Sequence, residues 1–339
     1  MDCLRIGIIG AGRIGKVHAQ TLSVTPGVEI AAVSDIVADA ATSLAGNHGV
    51  AVATGDYREI IADRSIDAVF VCSSTDTHAQ IIEEAADAGK HVFCEKPLAL
   101  DLKKIDQALA AVERNKVTLL VAFNRRYDAG YRKMREDIRA GAIGKPELCI
   151  LSTRDPAPPP ISYINVSGGL FLDMMIHDFD LARFLLGDEP EEVFAWGGCL
   201  VDPAIGQAGD VDTAVVSIKF RKGAMCQISN SRRATYGHDQ RAEVHGSEGM
   251  VFGKNLLENN IVSANANGFH SAPVLNFFME RYMPAYQEEA RVFVDCVRNG
   301  KTPPSVGSDG RASVVMGYAA RRSWQENRPV KIGEIDMPY

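Results

Sequence analysis

Lys96, Asp173 and His177 are side chains of the kinds that take a proton from a hydroxyl and return it. Lys96 falls in Phe93-Cys94-Glu95-Lys96-Pro97, at the end of an apolar β-type run, and Pro97 restricts it to extended geometry. Asp173 and His177 lie four apart, a spacing that puts them on one face of the helix expected over Leu170–Leu186; Asp180, three further on, shares that face. Oxidising a secondary alcohol requires removal of the hydroxyl proton as hydride leaves the carbon. Histidine titrates near neutral pH, so His177 suits the role of base. Asp173 would orient the imidazole and stabilise its charged form, or bind a neighbouring hydroxyl, while Lys96 polarises the same oxygen. The plainer alternatives are an acidic residue in an early helical turn and a satisfied core histidine. Aspartate and histidine at this spacing also ligate metals, but no second histidine or cysteine follows at ligand spacing, so no metal is expected.

A departing hydride needs an acceptor. Gly10, Gly12 and Gly15 form G-x-G-x-x-G directly after an apolar run and at the start of a helical one, with Arg13 and Ile14 between the last two glycines. In this context the first glycine permits a tight turn, the second lets a pyrophosphate approach and the third allows close helix packing. Asp35, twenty residues beyond Gly15, closes the second run, where a carboxylate accepts the hydroxyls of an adenosine ribose. It would repel a 2′-phosphate, and Ile36 and Val37 bring no cation to hold one, which favours NAD over NADP. Ser73, Ser74, Thr75 and His78 follow the third run; Glu95 and Lys96 follow the next. Ligands of such sheets bind at the carboxyl ends of the strands, so these residues are candidate cofactor contacts. Ser74, Thr75 or Asp76 would also serve as a helix cap, and His78 as a structural histidine.

The elements that must position these groups divide at about residue 123. Before it, the apolar runs Leu4–Ile9, Glu29–Val33, Asp67–Cys72, His91–Cys94 and Leu119–Phe123 alternate with helical segments, the pattern of a doubly wound parallel sheet covered on both faces. After it come a helix over Tyr131–Ala140, a proline-rich loop at 154–160 and the helix Leu170–Leu186. Alternating strands follow over Glu192–Trp196, Asp212–Phe220, Met225–Ser231 and Arg241–His245, with a hairpin turn at Arg221-Lys222-Gly223. Helices over Pro284–Arg298 and Gly310–Glu326 close the chain. The expectation is α/β: a Rossmann domain over 1–123, then an α+β domain over 124–339 with a large, open, mainly antiparallel sheet. Trp196 and Trp324 read as packing residues.

Composition narrows the function classes. The chain has 339 residues, 46% hydrophobic and 23% charged, with a formal net charge of −7. An acidic chain of this kind does not suit nucleic acid, and no apolar run is long enough to span a bilayer. The start, Met1-Asp2-Cys3-Leu4-Arg5, runs directly into a β-type segment without a secretory pattern. Seven scattered cysteines, none at C-x-x-C spacing, indicate a reducing cytoplasm.

The glycine motif, the Glu95-Lys96-Pro97 segment and the two-domain layout resemble the Gfo/Idh/MocA oxidoreductase family over essentially the whole chain. Gly168-Gly169-Leu170-Phe171-Leu172-Asp173-Met174-Met175-Ile176-His177-Asp178-Phe179-Asp180-Leu181-Ala182-Arg183 is similar to the D-x-x-x-H helix of the inositol 2-dehydrogenase branch. Phe123-Asn124-Arg125-Arg126-Tyr127-Asp128, Tyr236-Gly237-His238-Asp239 and Tyr286 resemble its substrate-side segments. The resemblance implies NAD-dependent oxidation of myo- or scyllo-inositol to the 2-keto cyclitol by a cytoplasmic homotetramer. Lys96, Asp173 and His177 would be the reacting set, and Asn124, Arg125, Asp155, Asp173, His177, Asp180, His238 and Tyr286 the polyol contacts. A pyranose dehydrogenase and a non-catalytic dinucleotide sensor are the competing readings.

Overall fold

The computed structural model describes residues 3–335. Met1 and Asp2, at which the expected leaderless start begins, lie outside them, as do the last four residues of the expected second domain. Two compact units are present. One takes in the chain up to Tyr127 together with Met283–Ala312; the other takes in Asp128–Tyr282 and the chain from Ser313 onward. Residues 283–312, which the expected 124–339 segment included, therefore fold with the first unit. The reason is local bonding: Ser305 donates from Oγ to the Val121 carbonyl at 2.6 Å, its Oγ also lies 2.8 Å from the Tyr127 hydroxyl, and Asp309 pairs with Arg126 at 3.0 Å.

The first unit is built on β1 (Leu4–Ile9), β2 (Val28–Ser34), β3 (Val52–Thr54), β4 (Ala68–Val71), β5 (His91–Glu95) and β6 (Leu119–Ala122), in the order β3-β2-β1-β4-β5-β6. Every pairing is parallel. β4 and β6 are buried throughout and β1 at every position but Arg5, because helices connect each strand to the next and cover both faces. Local chemistry starts the helices. Asp56 accepts from the Arg58 N–H to open Tyr57–Ala62, and Asp101 accepts from Lys103 and Lys104 to open Leu102–Asn115. β3 has no counterpart among the expected runs. It is a three-residue edge strand that is mostly exposed and carries no apolar periodicity.

The second unit is built on β7 (Pro146–Arg154), β8 (Pro190–Gly198), β9 (Thr213–Phe220), β10 (Met225–Ser231), β11 (Asp239–Gly246), β12 (Gly249–Gly253) and β15 (Val330–Lys331), with a separate hairpin β13 (Val262–Asn265)–β14 (Gly268–Ser271). The order is β12-β11-β7-β10-β9-β8-β15, and all pairings are antiparallel except β7 with β10. Burial alternates along β9, β10 and β11, so one face is covered and the other open. Trp196 is exposed on β8 rather than packed inside, because the pleat places Val193 and Ala195 on the covered face.

Two expected helices differ. The helix at Pro284 begins earlier, at Phe278, and carries the proline inside it. The helix expected over Leu170–Leu186 is interrupted: Gly169–Asp173 ends, Met174 and Met175 intervene, and Ile176–Leu186 follows. Met175 donates its N–H to the Leu170 carbonyl five residues back at 2.9 Å, a widened turn of the π type.

Candidate active site

In the first unit the candidate residues gather at the carboxyl ends of the strands. Gly10 turns the chain out of β1 with φ +104°, and a Cβ there would lie 2.5 Å from the Cys72 carbonyl carbon. A Cβ on Gly15 would lie 2.0 Å from the Gly10 carbonyl oxygen. A Cβ on Gly12 would point into open space, with none of the described residues beyond its chain neighbours and its own helix backbone within 4 Å of it. Gly12 is the N-cap of the helix Arg13–Ser23 and brings no side chain to its first N–H groups, which Arg13 and Ile14 help supply. Open space over a helix N-terminus suits a pyrophosphate. Asp35 follows β2 and ties the turn to it: one carboxylate oxygen accepts from the Ala11 N–H at 2.7 Å, the other from Val37 at 2.8 Å. The next side chains, Ile36 and Val37, are exposed and apolar and themselves bring no cation for a 2′-phosphate.

Past β4, Ser73 and Thr77 share a hydrogen bond between hydroxyls at 2.7 Å, while Ser74 occupies the N-cap and Thr75 the first position of Thr75–Asp87. The Ser74 side chain makes no capping bond. His78 is fully buried, with Nδ1 2.8 Å from the Pro97 carbonyl and Nε2 3.1 Å from that of Ser73. Burial pushes its pKa down, against the opposing pull of the two carbonyls. It therefore joins the loop after β4 to the loop after β5. Glu95 ends β5 in register with Ala122, so Lys96 and Asn124 leave neighbouring strand ends. Glu95 Oε1 lies 2.7 Å from His18 Nε2, and the Lys96–Pro97 peptide is cis. Asn124 and Arg125 form a buried 3₁₀ turn, Asn124–Tyr127, and Tyr286 is buried edge-on to His18 at 5.8 Å.

The second unit assembles the other candidates at one end of three adjacent strands. β7 and β10 run parallel and end at Arg154 and Ser231, and β11 begins beside them, with Asp239 opposite Arg154. Asp155, Arg232 and His238 are therefore the residues just beyond these ends. Asp155 donates its N–H to the Ser231 carbonyl at 3.0 Å, and its Oδ1 lies 3.2 Å from Nδ1 of the buried His238. Asp239 anchors this edge. Burial pushes its pKa up, but hydrogen bonds from Arg241, Tyr236, Asn255 and Arg154 outweigh that and hold it well below the usual carboxylate range.

Asp173 closes the short helix Gly169–Asp173 and His177 is the second residue of Ile176–Leu186, so one regular helical face does not carry both. The widened turn at Met174–Met175 sets their relative direction instead. Both are half-buried, whereas Asp180 is fully buried. Asp173 accepts from the Tyr163 hydroxyl at 2.9 Å and lies 3.6 Å from the guanidinium of the buried Arg232. Beside His177, Asp178 accepts from Thr153 at 2.7 Å and from Asn230 at 2.8 Å; these two residues are register partners on β7 and β10. The helix bearing His177 is thus pinned to the parallel pair. Leu170 at the start of the segment donates its N–H to the Asp210 carboxylate.

Tyr163, Arg232, Asp178 and Asp210 escaped the sequence reading. Arg232 lies 59 residues from Asp173 in an ordinary twin-arginine segment, and nothing local marks it. Asp178 did stand within the quoted Asp173–Arg183 run, where its acidic side chain next to His177 was the available signal.

A family model described as "Oxidoreductase family, NAD-binding Rossmann fold" matches residues 4–123, and one described as "GFO/IDH/MocA C-terminal domain" matches 131–252. The chain is 47% identical to the myo-inositol 2-dehydrogenase of Thermotoga maritima over 98% of its own length and 99% of that protein's. It is 46% identical to the inositol 2-dehydrogenase of Rhizobium meliloti over 97% and 99% of the respective lengths. The solved scyllo-inositol dehydrogenase of Lactobacillus casei with bound NAD(H) and scyllo-inositol superposes with a TM-score of 0.92 at 29% identity, over 98% of this chain and all of that one. The glycine turn with its uncapped helix start, and the strand order that builds it, are the features of an NAD-binding fold, and with these likenesses they place the chain in the Gfo/Idh/MocA oxidoreductase family.

Proposed function

We propose that this NAD-dependent oxidoreductase converts a secondary hydroxyl of myo-inositol or scyllo-inositol to the 2-keto cyclitol. The observation that carries the proposal is identity of 46–47% over nearly the full length to proteins named inositol 2-dehydrogenases. The bound cofactor supplies the hydride acceptor. His177 takes the hydroxyl proton, and returns it when the reaction runs backward. Asp173, held by Tyr163 and Arg232, orients the imidazole and stabilises its cationic form. Lys96, at the carboxyl end of β5, polarises a substrate oxygen. Gly10, Gly12, Arg13, Ile14, Asp35, Ser73, Ser74, Thr75 and Glu95 line the dinucleotide, with His78 acting through the loops it joins. Asn124, Arg125, Asp155, Asp180, His238 and Tyr286 answer the ring hydroxyls, since each buried polar group needs a partner.

Among the described residues no helix is long and apolar enough to cross a membrane. The further proposal of a cytoplasmic protein is supported by seven free cysteines, most of them buried. A homotetramer is supported by the apolar side chains exposed on the second sheet, among them Trp196, Met225 and Phe252.

The test is reduction of NAD and of NADP by pure protein against a panel of cyclitols and aldoses. Turnover of inositols with NAD is expected to exceed the rest. Equal turnover of aldopyranoses would make the enzyme a sugar dehydrogenase, and cofactor binding without any turnover would make it a sensor.

A further inference from the structure

The first unit holds a buried cluster that the proton transfer above does not use. Glu289, within Phe278–Asn299, is fully buried, and neither of its carboxyl oxygens has a hydrogen-bond partner among the described residues. A Glu289 oxygen, a Glu95 oxygen and a His18 ring nitrogen all lie within 4.8 Å of one another. Glu95 immediately precedes Lys96, and its contact with the fully buried His18 is 2.7 Å. Aromatic rings enclose the group: His18 meets Phe70, Phe93 and Tyr286 edge-on, and Phe293 meets Phe70 and Phe93. Two carboxyls this close in apolar surroundings do not both ionise, because repulsion and lost hydration act together. Cys72 and Tyr127 also face Glu289, and neither group carries a positive charge in any state of its titration.

We infer that Glu289 is a positioning residue: it stands as a neutral acid beside Glu95, leaves the Glu95 charge committed to His18, and so steadies the strand end from which Lys96 projects. The inference rests on the proposed role of Lys96. Burial first, and repulsion by Glu95 second, push the Glu289 pKa well above the glutamate range. A carboxyl raised in this way contributes stability that is full below its unfolded pKa and is lost as pH rises toward its folded pKa. The neutral isostere Glu289→Gln has no such loss.

The experiment compares full-length wild type with Glu289→Gln by denaturant unfolding from about pH 5 to about pH 8. Between the unfolded and the folded pKa of Glu289 the folding equilibrium should shift toward the variant by up to about tenfold per pH unit, the linkage of one proton. A difference that does not change with pH overturns the inference. Infrared difference spectra near neutral pH should show the carbonyl stretch of a protonated carboxylic acid in wild type and not in the variant; absence of that band in wild type also overturns it. Should Glu289→Gln not fold, the band is identified in wild type by its shift on ¹³C-glutamate labelling. Histidine and two carboxylates are also metal donors, so elemental analysis of the same samples is included, and a stoichiometric metal ion overturns the neutral-acid assignment. For positioning, Glu289→Ala should lower kcat by about tenfold or more, with Glu289→Gln restoring most of it; equal turnover in Glu289→Ala and wild type removes the link to Lys96. The unfolding and infrared results stand without any substrate, so failure of the inositol proposal is distinguishable from failure of this one.

Discussion

At the residue scale, the proposed base His177 follows, across the widened turn, an aspartate held by two unlike donors. Tyr163 hydrogen-bonds one oxygen of Asp173, and the Arg232 guanidinium stands by the other. Both contacts fix the position of the Asp173 carboxyl group at the end of its short helix. His177→Ala should lower kcat by about 100- to 10,000-fold, the usual weight of general acid–base catalysis. NADH affinity should change little, because the glycine turn and Asp35 belong to the other unit. Stopped-flow turnover and a fluorescence titration with NADH check this together; near-normal turnover removes His177 from the mechanism. His177 and Asp173 are proposed from their residue types, while the four-residue spacing read as one helical face gives way to the widened turn between two helices. Arg232 was not legible in the sequence, since a guanidinium becomes relevant only when the fold carries it across 59 residues of chain.

At the element scale, the regular helix expected over Leu170–Leu186 gives way to two pieces joined by a widened turn. Apolar periodicity predicts helix but does not reveal where the hydrogen-bond register slips by one residue. The second piece is fixed by Asp178, which satisfies Thr153 and Asn230 on the only parallel pair among the described strands of its sheet. Asp178→Ala leaves these buried donors unpaired, at a cost of about 1–3 kcal/mol each. Its thermal midpoint should fall, and kcat should fall with it as the helix bearing His177 loses its anchor. Calorimetry with steady-state kinetics measures both; an unchanged midpoint would show that the anchor contributes nothing. β3 illustrates the opposite limit of legibility, since three mostly exposed residues pair with β2 only because the neighbouring strand is there to receive them.

At the scale of the whole molecule, the covalent order of the chain and the order of its compact units differ. Helix Phe278–Asn299 begins in one unit and continues into the other, and residues up to Ala312 stay with the first. Phe293, Ser305 and Asp309 account for that, through ring contacts with Phe70 and Phe93, the bond to the Val121 carbonyl and the pair with Arg126. The open face of the second sheet bears on assembly. If it is buried between copies, Trp196→Glu combined with Phe252→Glu should shift the protein toward smaller species in sedimentation velocity, with the fold retained by circular dichroism. An unchanged sedimentation coefficient would place the interface elsewhere.

From residue types and spacing alone came the doubly wound sheet, the NAD-binding turn and the candidate proton-transfer pair, because each is written in a short stretch whose glycines, apolar runs or titratable groups act locally. Tertiary structure decided what distant segments contribute: Asp210 at the start of the Gly169 helix, Arg232 beside Asp173, Glu289 beside Glu95, and the return of residues 283–312 to the first unit. Those depend on burial, and burial removes the water that would otherwise make such charges indifferent to one another.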